Sequence, residues 1–235
     1  MILSHRHRFI FVHVFKNAGT SFRRALLPRF RSPGREGVGV VLHLLQKKGI
    51  LKVRSGSYYR LLARWSVQPM PMHSTALQVA NFYGEKVFRE YCSVAIVRNP
   101  WDWQVSHYHY ILKMPQHREH KTVKAFPSFK EYLRWRCRKR VARQLDFVVD
   151  EHGDCLVRNF LRFEYLGEDI ESLSHYLGWP ISLPRLNQSE HLRYDCYYDE
   201  ESRGWVADRF QEDIKFLGYN FDNSVTPLPP NLSLE

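Results

Sequence analysis

The sequence predicts a single α/β domain over residues 1–225, with a central parallel sheet flanked by helices and a proline-rich tail at 226–235. Three observations predict it. Two apolar, β-branched stretches, Phe9 to Val14 and Tyr91 to Val97, each run into a turn and then a helical pattern, the alternation expected of parallel strands joined by crossover helices. A chain of 235 residues, 44% hydrophobic and 14% aromatic, is long enough for one complete core and short for two. No internal repeat or low-complexity block interrupts the pattern.

Phe9 to Val14 has the composition of the first strand. Asn17, Ala18 and Gly19 supply a tight turn, and Thr20 and Ser21 can cap a helix that buries Phe22, Ala25, Leu26 and Leu27 and ends over Pro28 to Gly34. Val38 to Leu45 reads as a buried strand or helix start. Lys47 to Met72 is basic, with Tyr58, Tyr59, Leu61, Leu62 and Trp65 marking an amphipathic helix that stops at Pro69. His73 to Tyr83 has helical spacing through Leu77, Val79, Ala80 and Phe82. The second strand, Tyr91 to Val97, ends at Arg98-Asn99-Pro100, and a helix over Trp101 to Lys113 carries Trp103, Ser106, His107 and Tyr110 along one face.

A further helix is expected over Ser128 to Ala142, and Asp150 to Gly153 reads as a hairpin turn leaving Phe147-Val148-Val149. Leu166, Ile170, Leu173 and Leu177 form one helical stripe, stopped by Gly178 and Pro180. Trp205, Val206, Phe210, Ile214 and Leu217 form the last one. Thr226 to Pro230 cannot enter a sheet interior and reads as an exposed strap.

The net charge of +11 points to a polyanionic partner: nucleic acid, an acidic membrane surface, a phosphorylated cofactor or an acidic glycan. Cys92, Cys137, Cys155 and Cys196 are scattered without a C-x-x-C pair, which argues against a zinc site and a disulfide scaffold and for free thiols in a reducing compartment. The opening MILSHRHRF places charge where a signal peptide needs its apolar core, and no apolar run approaches the roughly 20 residues of a membrane span. The expectation is a cytoplasmic protein.

The chemistry is concentrated in Phe15-Lys16-Asn17-Ala18-Gly19-Thr20-Ser21. A strand ending in small residues and hydroxyls ahead of a helix forms an anion cradle, because the first N–H groups of a helix have no partner inside it. Lys16 precedes Gly19, whereas the lysine of a nucleotide P-loop follows its last glycine, so the Walker pattern is not met.

This lysine order, with Arg98-Asn99-Pro100 and Ser106 downstream, resembles sulfotransferases that use 3′-phosphoadenosine 5′-phosphosulfate (PAPS). The likeness is to the branch of carbohydrate and heparan sulfate 2-O-sulfotransferases and their bacterial relatives. Four segments carry it in order: FVHVFKNAGTSF, MHSTA, SVAIVRNPWDWQVSHYHY, and RFEYLGEDI with LPRLNQS and DIKFLGYNF behind it. The resemblance implies a P-loop-like sulfotransferase fold, PAPS as donor with 3′-phosphoadenosine 5′-phosphate (PAP) as product, no metal, and a hydroxyl acceptor, a carbohydrate. It assigns Lys16, Asn17, Ala18, Gly19, Thr20 and Ser21 to the 5′-phosphosulfate, Arg98 and Ser106 to the 3′-phosphate, and Asn187 and Ser189 to a loop over the nucleotide. The family's second arginine in the third segment is replaced by Trp103, which either packs in the core or walls the nucleotide.

Sulfuryl transfer needs an anchored donor, a stabilised leaving phosphate and a base for the acceptor proton. Lys16 is the candidate for the leaving oxygen and His73, in MHSTA, for the base, since neutral imidazole accepts a proton near neutral pH. Each has a bland alternative: a surface lysine beside a turn, and a helix-start histidine bonded to Ser74 or Thr75. Arg98 can equally pair with Asp102 as a helix-start ion pair. His13 reads as a hydrogen-bonded core histidine, His107 and His109 as packing or acceptor contacts, and Glu164 as structural, bonding an arginine or a backbone amide. Arg54, Arg60, Arg64, His117 and Arg118 belong to segments without a family counterpart and are candidates for the acceptor site or for solvated surface. The rival reading is a basic module binding glycan or nucleic acid without catalysis, which predicts cations spread over one surface and no need for the Lys16 turn; the sulfotransferase reading expects no nucleic-acid partner.

Overall fold

The structure, a computed structural model, describes residues 1–30, 71–184 and 192–223. The expectations placed on 31–70, including the amphipathic helix before Pro69, on Asn187 and Ser189, and on the tail lie outside these residues. Four strands form one sheet in the order β1 (Ile2–Ser4), β2 (Phe9–Val12), β3 (Cys92–Val97), β4 (Asn159–Arg162). The β2–β3 and β3–β4 pairs are parallel, registering Phe11 with Val94 and Ala95 with Phe160.

Side chains of β2 and β3 alternate between two apolar layers, and both strands are buried throughout, as parallel strands with helices on both faces must be. Phe9, Phe11, Val94 and Ile96 pack with α1 (Gly19–Phe30) through Phe22 and Leu26, and with a C-terminal helix (Leu166–Leu177) through Ile170 and Leu173. Ile10, Val12, Ala95 and Val97 pack on the other face. That face takes α2 (Ala76–Tyr83), α3 (Lys86–Glu90), α4 (Pro100–Lys113), α5 (His120–Lys124) and α6 (Phe129–Arg138). The Leu166–Leu177 helix is α7, and α8 (Glu200–Arg209) and α9 (Gln211–Leu217) complete the larger layer.

The helix boundaries follow local chemistry. Thr75 and Gln78 form a reciprocal capping box at α2, Asn99 caps α4 with Pro100 in its first turn, and Gly178 ends α7 at φ 75°. The α/β expectation is met, with differences of detail. β1 lies antiparallel to β2, pairing Leu3 with Ile10, so the sheet is mostly rather than wholly parallel; three residues are too short for a period to declare itself. β4 is hidden because its pattern runs straight into a helix. Pro28 sits inside α1 instead of ending it, α2 starts at Ala76 rather than His73, α6 stops at Arg138, and the last stripe divides at Phe210 into two helices. Phe147 falls in a 3-10 turn, and the expected hairpin is reduced to one antiparallel bridge between Val149 and Cys155.

Candidate functional site

Because β2 and β3 are parallel neighbours, the loop after β2 and the loop after β3 emerge side by side at the carboxyl edge of the sheet. The first carries Lys16 and the second Arg98, and the Arg98 Nη1 donates to the Lys16 carbonyl at 3.2 Å. Behind Lys16 the chain turns into α1, whose first intrahelical bond is Phe22 N–H to the Ala18 carbonyl at 3.0 Å. The amides of Gly19, Thr20 and Ser21 therefore begin the helix without a helical acceptor.

The turn is made by Lys16 at φ 66° and Ala18 at φ 54°, left-handed conformations that ordinarily cost a non-glycine residue about 1–2 kcal/mol each. Gly19 was the expected turn glycine; its role is different. A Cβ there would fall deep inside the His13 ring, so the position is open only to a residue without one. Asn17 is fully buried, with its side chain directed into the protein, donating to the Ile96 carbonyl at 2.9 Å and to Gln144 Oε1 at 2.7 Å. Its side chain thus anchors the turn, leaving only its backbone for a ligand.

Trp103 is completely buried and donates through Nε1 to the Phe15 carbonyl at 2.8 Å. The position where the family resemblance leads one to expect a second cation is thus a core side chain that ties down the first loop. Gln144 joins both loops: Oε1 accepts from the Arg98 N–H at 2.9 Å as well as from Asn17, and Nε2 donates to the Arg98 carbonyl at 2.6 Å. The Gln144 and Leu145 amides donate in turn to Asp213 at 2.9 and 2.8 Å, and burial pushes the Asp213 carboxyl up to about 6. Gln144 belongs to no sequence motif, and Asp213, though it opens the DIKFLGYNF segment, takes no role from the resemblance there; no local signal marks the contact between them.

The charges differ between the two loops. Arg98 is paired through Nε with Asp102 at 2.7 Å and lies 3.9 Å from the Phe163 ring centre, so the anticipated helix-start ion pair is present. Lys16 has no acidic partner within salt-bridge reach among the described residues; its ammonium stands 4.2 Å from the Tyr110 ring centre. Burial, followed by the nearby charges of Arg98 and Lys113, lowers it from 10.5 to about 8. Ser106 is buried on α4. Asn99, next to Arg98, gives its amide to Glu164 Oε1 at 2.7 Å, matching the backbone-amide role expected of that carboxylate. Tyr219 donates to the other oxygen at 2.8 Å, and burial raises the Glu164 carboxyl above its ordinary range.

The histidines separate by environment. His73 is exposed and lies at 3.1 Å through Nδ1 from the His13 carbonyl. A carbonyl only accepts, so Nδ1 carries the hydrogen and Nε2 of the neutral ring keeps its lone pair. Partial burial lowers its basicity, the His13 hydrogen bond opposes this, and the N-terminal amino group and Arg23 add to the lowering. His13, 4.5 Å away between ring centres, is buried and held far below the ordinary histidine range, chiefly by burial. Its Nδ1 has no hydrogen-bond partner among the described residues, so it is a core histidine but not the hydrogen-bonded one expected. His107 bonds Tyr132 at 2.9 Å and His109 bonds Tyr197 at 2.9 Å, the packing role anticipated for both. His117 stacks edge-on to Tyr110, bringing one of the segments without a family counterpart up to the ring under Lys16.

A separate cleft of about 520 Å³ between α6 and α8 is lined by Arg134, Cys137, Arg138, Trp205 and Arg209 among others and contains none of the expected site residues. Among the described residues there is no His/Cys/Asp/Glu group arranged for a metal and no helix long and apolar enough to cross a membrane.

No family model matches the chain, and no curated protein matches it by sequence. Among solved structures, the mouse sulfotransferase SULT7A1, crystallised in complex with PAP, superposes with a TM-score of 0.51 over 90% of this chain and 86% of its own, at 13% identity. The chain therefore has a sulfotransferase fold: one α/β domain around a mostly parallel four-stranded sheet.

Proposed function

We propose that this protein is a PAPS-dependent sulfotransferase that transfers to a hydroxyl, with a carbohydrate as acceptor. The observation that carries the reading is the meeting of Lys16 and Arg98 at the carboxyl ends of adjacent parallel strands, beside the free amides of α1. Arg98 and Lys113 lie close enough to weaken the hold of Lys16 on its proton, and Asp102 pairs with Arg98. Such a cluster fits a ligand with two separated anionic groups, which a PAP-like nucleotide has. The sulfotransferase fold, found in a protein crystallised with PAP, supports the same choice.

PAPS would supply an activated sulfuryl group bound through oxygen to its 5′-phosphate. The α1 amides and the hydroxyls of Thr20 and Ser21 hold that end of the donor, and Arg98 with Ser106 holds the 3′-phosphate. Lys16, without an acidic partner among the described residues, neutralises charge growing on the leaving phosphate. His73 takes the acceptor proton at Nε2, its other nitrogen being fixed by the His13 carbonyl. The acceptor enters over Tyr110 and His117, and the chain's net charge of +11 favours an acidic glycan. Four unpaired cysteines accord with a reducing, cytoplasmic setting.

The test is thermal unfolding with PAP against ATP plus magnesium, followed by an acceptor screen with labelled PAPS. PAP at a hundred times its dissociation constant should stabilise the fold by about 2.7 kcal/mol, with no comparable effect of ATP. Equal stabilisation by unrelated polyanions, with no transfer to any acceptor, would favour the non-catalytic binding module instead.

A further inference from the structure

We infer that Gln144 is a positioning residue that locks the two anion-binding loops into one unit, so that Lys16 and Arg98 are set together rather than independently. The inference rests on the donor-binding reading above but uses a residue outside every motif. The Gln144 carboxamide is 1% exposed and makes three hydrogen bonds, to the Asn17 side chain at 2.7 Å and to the Arg98 N–H and carbonyl at 2.9 and 2.6 Å. The pair of bonds to Arg98 continues β3 as a strand partner would, just where the strand ends and its ladder partners run out.

The bond to Asn17 acts on the middle residue of the turn, between the two left-handed positions Lys16 and Ala18. A turn of that conformation persists only when its surroundings over-determine it. Asn17 supplies the hold from below, and half of that hold comes from Gln144. Gln144 is itself fixed by its own amide on Asp213, which reaches the site from α9. A side chain placed merely to fill space would not need an acceptor shared by both loops and a donor returned to the second.

Gln144→Met keeps the volume and removes all three bonds; Asn17→Ala cuts the turn from the same anchor. Hydrogen–deuterium exchange on the protein alone is the first readout. The inference expects Gln144→Met to raise amide exchange at least tenfold in both 15–21 and 98–101, with β2 and α7 unchanged. Faster exchange in one loop only, or in neither, overturns it, and so does a uniform rise across the sheet, which would mark a general stability loss. PAP binding is the second readout: the dissociation constant should rise at least tenfold in each single variant and little further in the double variant. Multiplying effects would mean that the two residues act independently and would overturn the coupling. Wild-type protein that fails to bind PAP would sink the donor reading while leaving the exchange experiment decisive for the lock. Should Gln144→Met not fold, Gln144→Glu keeps the bonds to Asn17 and the Arg98 N–H and loses only the donor to the Arg98 carbonyl: faster exchange in 98–101 that is passed on to 15–21 supports the lock, and faster exchange in 98–101 alone, or in neither loop, overturns it.

Discussion

The loops after β2 and β3 face the same space, share Gln144 and the Arg98–Lys16 contact, and differ in their remaining supports. The first is held from beneath by neutral groups: Trp103 on the Phe15 carbonyl, Asn17 on β3 and Gln144, and the His13 ring against Gly19. Its lysine has no counter-charge among the described residues and stands over the Tyr110 ring. The second adds charge to its Gln144 bonds, with Arg98 on Asp102 and Glu164 on the Asn99 amide. The contrast teaches where a reacting centre belongs. A neutralised arginine can grip a phosphate whose charge does not change, whereas an unpaired, partly desolvated lysine gains most when new negative charge appears beside it.

The largest effect expected from this contrast is on turnover. Lys16→Ala should lower kcat by roughly 10²–10³ while leaving the unfolding temperature within a few degrees of wild type, because among the described residues the ammonium meets a ring and no hydrogen-bond acceptor. A transfer assay and a thermal scan check both halves. Arg98→Ala should act on affinity and stability instead. It leaves the nearly buried Asp102 carboxylate unpaired, at about 3–5 kcal/mol, and should weaken PAP binding more than it lowers kcat, which calorimetry and steady-state kinetics separate. Unchanged PAP affinity would remove Arg98 from the 3′-phosphate.

A smaller loss belongs to the neutral supports. Trp103→Phe keeps the ring and strands the Phe15 carbonyl, for about 1–3 kcal/mol in denaturant unfolding, together with weaker PAP binding if the first loop depends on that tie. The smallest effect is on pH dependence. The Lys16 ammonium loses its proton near pH 8 in the fold and near 10.5 when unfolded, so between those values the unfolded chain binds more protons and fold stability should rise with pH. PAP affinity should run the other way, flat at neutral pH and falling through about pH 8, with both slopes absent in Lys16→Met. Denaturant titrations and binding isotherms at a series of pH values measure them.

Much of this arrangement was legible in advance because it rests on short-range patterns. The strand–turn–helix grammar around Lys16 and Arg98, the Pro100 helix start and the Gly178 stop each follow from a few neighbouring residues, whereas the burial of Trp103, left open between core and nucleotide wall, was decided by the structure. What was misread depended on contacts that residue propensities do not record. Gly19 looked like a turn glycine because nothing in the sequence shows that the chain folds back to set the ring of His13, in the same loop, against it; the left-handed burden falls on Lys16 and Ala18, which no propensity favours. β1 was invisible since three residues carry no period, and its pairing is supplied by β2.

The sequence by itself determined the α/β class, the cationic turn and the order of its two anchors, because apolar periodicity and turn chemistry act over a handful of residues. Only the tertiary structure decided that Lys16 and Arg98 adjoin, that Asp102 neutralises one and leaves the other, and that Gln144 and Asp213 stand beneath both. Those are facts of strand register and side-chain reach across 46 and 69 positions of chain, set by how the two apolar layers close on the sheet. A local pattern carries no information about which distant polar group will fill a buried gap.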